Sequence, residues 1–205
     1  MKTIVIVEHD NNSIKGGTYN TITAASKLSG EITLLIAGSA IDSVISEAQS
    51  IDGISNILKC DNKIYSNFIA EDLSALIANN IGEFTHILAP STTFGKNLMP
   101  RVSAKLDTQQ ISDIIAVESD DTFKRPIYAG SCIATVKSND EVKVITVRST
   151  AFDAVSTGNS DVSVSDIATI DSMGISEFIS EELAQSDRPE LTAADIVISG
   201  GRGMQ

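Results

Sequence analysis

The chain has 205 residues, 42% of them hydrophobic, with a formal net charge of −12; that length and apolar content allow one sizeable domain with its own core. Such a charge repels phosphate backbones and anionic bilayers, which argues against nucleic acid and membrane surfaces as partners. No apolar run reaches the roughly 18–20 residues of a membrane helix, so no direct insertion is expected.

Met1-Lys2-Thr3-Ile4-Val5-Ile6-Val7 enters a strand pattern at once. No room is left for a leader peptide, and a bacterial cytoplasm is the expected compartment. Ile4 to Val7 is a continuous β-branched run rather than an alternating one, the signature of a strand buried on both faces. Thr3 to Val7 is therefore expected inside a sheet, not at its edge. A helix follows, with Ile22, Ala25 and Leu28 on one stripe and Gly30 as its stop. Ile32 to Ile36 reads as the second strand, ended by Gly38. Val44, Ile45 and Ala48 mark the next helix, and Ile54 to Leu58 the third strand. Ile69, Leu73, Leu76 and Ile77 form an amphipathic helix before the strand His86-Ile87-Leu88-Ala89. Leu98, Val102 and Leu106 mark another helix, which Pro100 predicts to begin late, near Met99.

Strand–helix units at this spacing predict an α/β fold with a mainly parallel, doubly wound sheet. The period then changes. Arg125 to Tyr128, Ser131 to Lys137 and Glu141 to Arg148 read as short strands, with Ser138-Asn139-Asp140 as a hairpin turn between the last two. Added antiparallel strands are thus expected. Beyond Ser156 the pattern weakens, with a short helix predicted near Glu177 to Leu183 and a strand at Ile196-Val197-Ile198. That strand runs into Ser199-Gly200-Gly201-Arg202-Gly203, a turn that ordinarily opens a phosphate-binding helix. The sequence stops two residues later, which reads as a truncation.

Cys60 and Cys132 stand alone, without CxxC spacing, and read as reduced, mostly buried thiols. Asp153 to Glu190 holds nine acids and one base, Arg188, either a solvated face or a surface offered to a partner subunit. Gly16-Gly17 and Ser91 to Lys96 are the candidate phosphate turns, but neither completes a dinucleotide or P-loop fingerprint. Capping of a helix by Ser91 or Thr92 explains the second turn more simply. His9, after Glu8, sits where open α/β sheets bind ligands, while His86 opens a buried strand. Two histidines without a nucleophile or ligand cluster make neither triad nor metal site, so no enzyme mechanism is expected.

Several ordered blocks resemble the electron transfer flavoprotein alpha subunit. They are Ile6-Val7-Glu8-His9-Asp10-Asn11 with Thr23 to Leu28, then Arg125-Pro126-Ile127-Tyr128-Ala129-Gly130, then Val144 to Arg148 with Ala151-Phe152-Asp153. The last and most specific is Arg188-Pro189-Glu190-Leu191-Thr192 leading to Val197 through Gly203. Ser131-Cys132 departs from the Asn-Ala usual in the family. The resemblance implies a heterodimeric electron carrier rather than an enzyme. It would take electrons from acyl-CoA and related flavin dehydrogenases and pass them to a membrane quinone oxidoreductase. It also implies FAD held mainly by a second domain of the alpha subunit, and AMP in the beta subunit. Residues 1–187 would be the scaffold domain that contacts the beta subunit; 188–205 would be the linker and first strand and loop of the FAD domain. Arg202, with Gly200 and Gly201, would contact FAD in the intact protein, and FAD is not expected to bind residues 1–205 alone. The other reading is a stand-alone adenine-nucleotide-binding α/β module of the stress-protein type.

Overall fold

A computed structural model describes residues 1–158, 162–182, 191, 194 and 196–204. Seven strands form one sheet: β1 (Lys2–Ile6), β2 (Glu31–Gly38), β3 (Asn56–Asp61), β4 (His86–Pro90), β5 (Gln110–Ile114), β9 (Lys143–Val147) and β10 (Ser163–Asp166). Their order across the sheet is β10-β3-β2-β1-β4-β9-β5, and every pairing is parallel. The unbroken apolar run of β1 therefore does occupy the middle.

The two faces of the sheet are covered separately. Val5, Val7, Leu34, Ile36 and Leu88 point into one core with Ile22 and Ala25 of α1 (Gly16–Ala25) and Val44, Ile45 and Ala48 of α2 (Asp42–Gln49). Ile4, Ile6, Leu35, Ile87 and Ala89 point into the other, against Leu73, Leu76 and Ile77 of α3 (Ala70–Asn79) and Leu98, Met99 and Val102 of α4 (Thr93–Lys105). Strand periodicity of two and helix stripes of i, i+3, i+4 are what allow one run to feed two cores.

Three expectations are corrected in this body. Helix α4 begins at Thr93 rather than near Met99, with Pro100 inside it. Pro100 lies on the exposed side, so the backbone bond it cannot make falls where water can substitute, while Leu98, Met99 and Val102 hold the buried side. Ser138-Asn139-Asp140 does not close a hairpin: β9 leaves its neighbour and inserts between β4 and β5 in the parallel sheet. The antiparallel part is instead a small three-stranded sheet of β6 (Ala116–Ser119), β7 (Thr122–Ile127) and β8 (Cys132–Lys137). Finally, Cys132 is exposed, whereas Cys60 is buried; both are free thiols.

Beyond Gly158 the described chain adds β10 to the sheet edge beside β3 and then crosses the α3–α4 face. Ile167 and Ile170 pack on that core. The Ile170 N–H donates to the Tyr65 hydroxyl at 3.3 Å, and the Met173 N–H to the buried Asp72 carboxylate at 2.7 Å. Residues 177–182 form no helix and Ile196 to Ile198 no strand, because neither stretch has a surface to lie on or a ladder to join among the described residues. Leu183, Arg188, Pro189, Glu190 and Thr192 lie outside the described residues.

Candidate functional site

The chain runs from β1 outward to β3 and then returns to place β4 on the other side of β1. The carboxyl ends of β1 and β4 are thus the switch point at which open α/β sheets take ligands. Glu8 and His9 leave β1 there, and Ser91 and Thr92 leave β4.

His9 is turned into the protein. The Asn11 N–H donates to its Nδ1 at 3.1 Å, which leaves the proton on Nε2, 3.2 Å from the Ala37 carbonyl. Phe68 meets the ring edge-on at 5.0 Å and packs in the same way on Phe94. Burial pulls the imidazole down from its usual value to about 4, so it is neutral at physiological pH. Asn11 extends the clamp, accepting from Ser39 N–H and donating to the Ser66 carbonyl. Gly38 makes this approach possible: a Cβ there would lie 2.4 Å from Asn11 Oδ1 and 2.7 Å from His9 Cε1. The stretch Glu8 to Asn11 therefore pins three loops, and His9 has a structural place rather than a ligand-facing one.

The turn after β4 is equally occupied. Thr92 caps α4, its hydroxyl oxygen accepting from Gly95 N–H at 3.4 Å, and donates to Glu8 Oε2 at 2.7 Å. Capping by Thr92 was one of the two expected assignments for this turn. Burial raises the Glu8 carboxyl above its ordinary value, and the bond from Thr92 opposes that rise. A Cβ on Gly17 would stand 3.1 Å from Pro90 Cβ and 3.8 Å from Ser149 Cβ. At Gly17 the first turn of α1 thus packs closely on the ends of β4 and β9.

One ion pair at this edge escapes sequence reading. Arg148, leaving β9, donates through Nε at 3.1 Å and through its terminal nitrogen to Asp113 Oδ2. Burial would raise the Asp113 carboxyl, but the Arg148 contact leaves it below the ordinary carboxylate value. Asp113 sits at φ +60° on the irregular β5 edge, between Ile111 and Ile114, whose spacing of three breaks the strand alternation.

The remaining candidates separate by position. His86 is buried, between the Thr85 hydroxyl at 2.9 Å and the Asp120 carbonyl at 2.7 Å, tying the main sheet to the small one. Burial pushes the Cys60 thiol up to about 11, which keeps it protonated. Among the described residues, no group of three or more His, Cys, Asp and Glu converges to hold a metal ion, and no helix is long and apolar enough to cross a membrane.

Gly200, Gly201 and Arg202 lie far along the chain, all exposed. The Met204 N–H donates to the Gly201 carbonyl at 3.1 Å, closing a tight turn with Arg202 at its tip. A Cβ on Gly200 would lie 2.2 Å from the Met204 sulfur, whereas Gly201 and Gly203 open onto empty space. An exposed guanidinium between uncovered glycine backbones suits an anionic or electron-rich group that must approach the main chain.

With this geometry in place, comparison with known proteins identifies the family. Residues 3–177 match the electron transfer flavoprotein domain. The alpha subunit of Pseudomonas aeruginosa electron transfer flavoprotein is 50% identical over 205 residues, which is 100% of this chain and 66% of that protein. The Paracoccus denitrificans alpha subunit is 41% identical over 100% of this chain and 66% of its own length. The mitochondrial alpha subunit of Dictyostelium discoideum is 44% identical over 98% and 61%. The chain spans a little under two thirds of the length of these relatives, and it belongs to the electron transfer flavoprotein family, on the alpha-subunit side.

Proposed function

We propose that this chain is the amino-terminal part of the alpha subunit of a heterodimeric, FAD-containing electron carrier. Residues 1–187 serve as the scaffold that contacts the beta subunit; 188–205 lead into the domain that holds FAD. The carrier takes electrons from acyl-CoA and related flavin dehydrogenases and delivers them to a membrane quinone oxidoreductase, with AMP held by the beta subunit. It works in the bacterial cytoplasm. The observation that carries this reading is alpha-subunit similarity along the entire chain, ending in the glycine-rich turn.

FAD, when bound, supplies the redox chemistry. This chain's own contribution to it is the Gly200, Gly201 and Arg202 turn. Arginine offers a planar fork of donors with permanent charge, suited to a phosphate or to an electron-rich ring edge. Gly201 and Gly203 leave the backbone on either side of Arg202 open to approach. The alpha-subunit similarity over the whole chain supports this reading over a stand-alone nucleotide module.

The test is the full-length protein made with its beta subunit. A bound-flavin absorbance spectrum is expected, and Arg202→Ala should weaken FAD retention about ten- to hundredfold, the loss of one charge-assisted contact of about 1.5–3 kcal/mol. Unchanged flavin retention and an unchanged reduction potential in that variant would refute the assignment of Arg202.

A further inference from the structure

We propose that a cavity at the carboxyl end of α4 binds a small organic cation of the linear aliphatic diamine class. It holds about 400 Å³ and is lined by Pro100, Ser103, Ala104, Asp107, Thr108 and Asp140, among others. It opens where β5 and β9 begin, at the opposite end of the sheet from the switch point. The site therefore stands apart from the electron-carrier reading.

Asp107 is the first observation. Helix α4 ends at Lys105, and the chain then closes a Schellman turn. The Asp107 N–H donates to the Ala104 carbonyl at 3.4 Å and the Thr108 N–H to the Ser103 carbonyl at 3.1 Å. In that motif the residue at the place of Asp107 takes a left-handed conformation and is usually glycine. Asp107 takes it at φ +51°. Its carboxylate also stands at the negative end of the helix macrodipole, where a cation is favoured and an anion is not. Backbone propensity and helix electrostatics both argue against an aspartate here, and such local conflicts cluster at ligand-binding positions.

The chemistry of the wall is the second, independent observation. Asp140 is fixed by the Gln109 N–H, which donates to its Oδ2 at 3.1 Å, and that bond holds its carboxyl below the ordinary carboxylate value. Lys143 donates to the Asp140 main-chain carbonyl at 2.8 Å. Neither Asp107 nor Asp140 is in an ion pair among the described residues. The hydroxyl protons lining the cavity are spent elsewhere: Ser103 donates to the Thr108 carbonyl, and Thr108 to the Val142 carbonyl at 2.8 Å. What these side chains retain is acceptor capacity, so a ligand rich in donors is required. Two carboxylates without a third acid, His or Cys among the described residues make a poor metal site. An ammonium at each end of a short alkyl chain would meet both carboxylates, and Pro100 and Ala104 offer an apolar wall to the methylenes.

The full-length alpha subunit, purified with its beta subunit, is titrated calorimetrically with diaminobutane, butylamine and butanediol. Saturable binding of diaminobutane is expected, with butylamine about tenfold weaker or more and butanediol not bound. Binding should weaken as salt is raised. Asp107→Gly relieves the backbone and the dipole conflict, so the thermal midpoint of the unliganded protein should hold or rise while diaminobutane affinity falls about tenfold or more. Asp140→Asn keeps an acceptor for the Gln109 N–H and should lose affinity to a similar degree. Absence of saturable diaminobutane binding, equal binding of butanediol, or variants that bind as wild type does would each overturn the site. The flavin spectrum of the same sample reports on the electron-carrier reading separately.

Discussion

Two runs of the same kind of residue meet opposite fates in this molecule. Ile4-Val5-Ile6-Val7, at the middle of the sheet, is almost wholly buried, with no residue above 3% exposure; Ile196-Val197-Ile198 is 82%, 52% and 95% exposed. The first run has β2 on one side and β4 on the other, with helices over both faces. The second has no ladder partner among the described residues. β-propensity is a preference for a half-finished surface, so a strand exists only where neighbours supply one. Each exposed aliphatic residue in the later segment forgoes about 1.5–3 kcal/mol of burial. The body therefore stabilises itself, while the carboxyl-terminal segment presents apolar surface to whatever covers it.

The comparison breaks most visibly if the body is attacked where its backbone leaves no space. A Cβ on Gly95 would lie 1.9 Å from the Pro90 carbonyl oxygen. That atom belongs to the main chain at the end of β4 and cannot swing aside. Gly95→Val should destabilise the chain by about 3 kcal/mol or more, measured as a lower midpoint in urea unfolding with the slope unchanged. Wild-type stability in this variant would mean that the β4–α4 turn shifts freely, contrary to its place beside the switch point.

How much of this was legible depends on the physical signal each element carries. β1, β2 and β4 are continuous apolar runs, and the helices between them keep clean stripes, so the α/β class and the central place of β1 follow directly from sequence. β9 carries the same signature, Val144-Ile145-Thr146-Val147, which points to a strand covered on both faces. The turn-like Ser138-Asn139-Asp140 masks it, because a return from the small sheet to the main one carries the same residues as a hairpin turn. β10, Ser163-Val164-Ser165-Asp166, is an exposed edge strand with no hydrophobic pattern to read. In β5 the buried Ile111 and Ile114 stand three apart across a register shift, so the alternation of a strand is broken, and the Asp113–Arg148 pair depends on that irregular edge. Of the candidate site, the Gly200, Gly201 and Arg202 turn was visible from its residue types. The buried, neutral state of His9 was not, because it depends on Phe68 and Ala37 from distant loops.

His9 sharpens the contrast through pH. Its folded-state value lies below its unfolded one, so its stabilising effect is fully present above about pH 6.5. It is lost as pH falls toward 4, because the unfolded chain takes up a proton that the buried ring refuses. His86 is lowered by burial too and acts in the same direction. Between pH 7 and pH 4 the His9 contribution should fall by on the order of 3 kcal/mol, read from urea midpoints of wild type and His9→Gln. The variant should show the shallower pH dependence. Parallel pH profiles for the two proteins would mean that the ring is not desolvated as the Ala37 and Phe68 contacts imply.

The smallest of the three effects tests the joint between the two regions. Asp72 lies in the first turn of α3, 2% exposed. Its carboxylate accepts from Ser172 Oγ at 3.1 Å and from the Met173 N–H at 2.7 Å. Just upstream, Ile170 is fastened to the Tyr65 hydroxyl. These bonds and the packing of Ile167 and Ile170 are what turn an extended chain into a strap on the α3–α4 face. Asp72→Ala removes the acceptor but leaves the seven-stranded sheet and both cores untouched. Bonds to a charged acceptor are worth about 1.5–3 kcal/mol each before solvent replaces them. The net loss should be about 1–2 kcal/mol, confined to the strap, since Ser172 and the Met173 N–H can turn to water once released. Amide hydrogen exchange is the suitable probe because it resolves local opening from global unfolding. Protection should fall across residues 167–173 while β1, β2 and β4 exchange as in wild type. Loss of protection throughout the sheet would show that the strap is integral to the body, and the division between a self-sufficient core and an attached segment would fail.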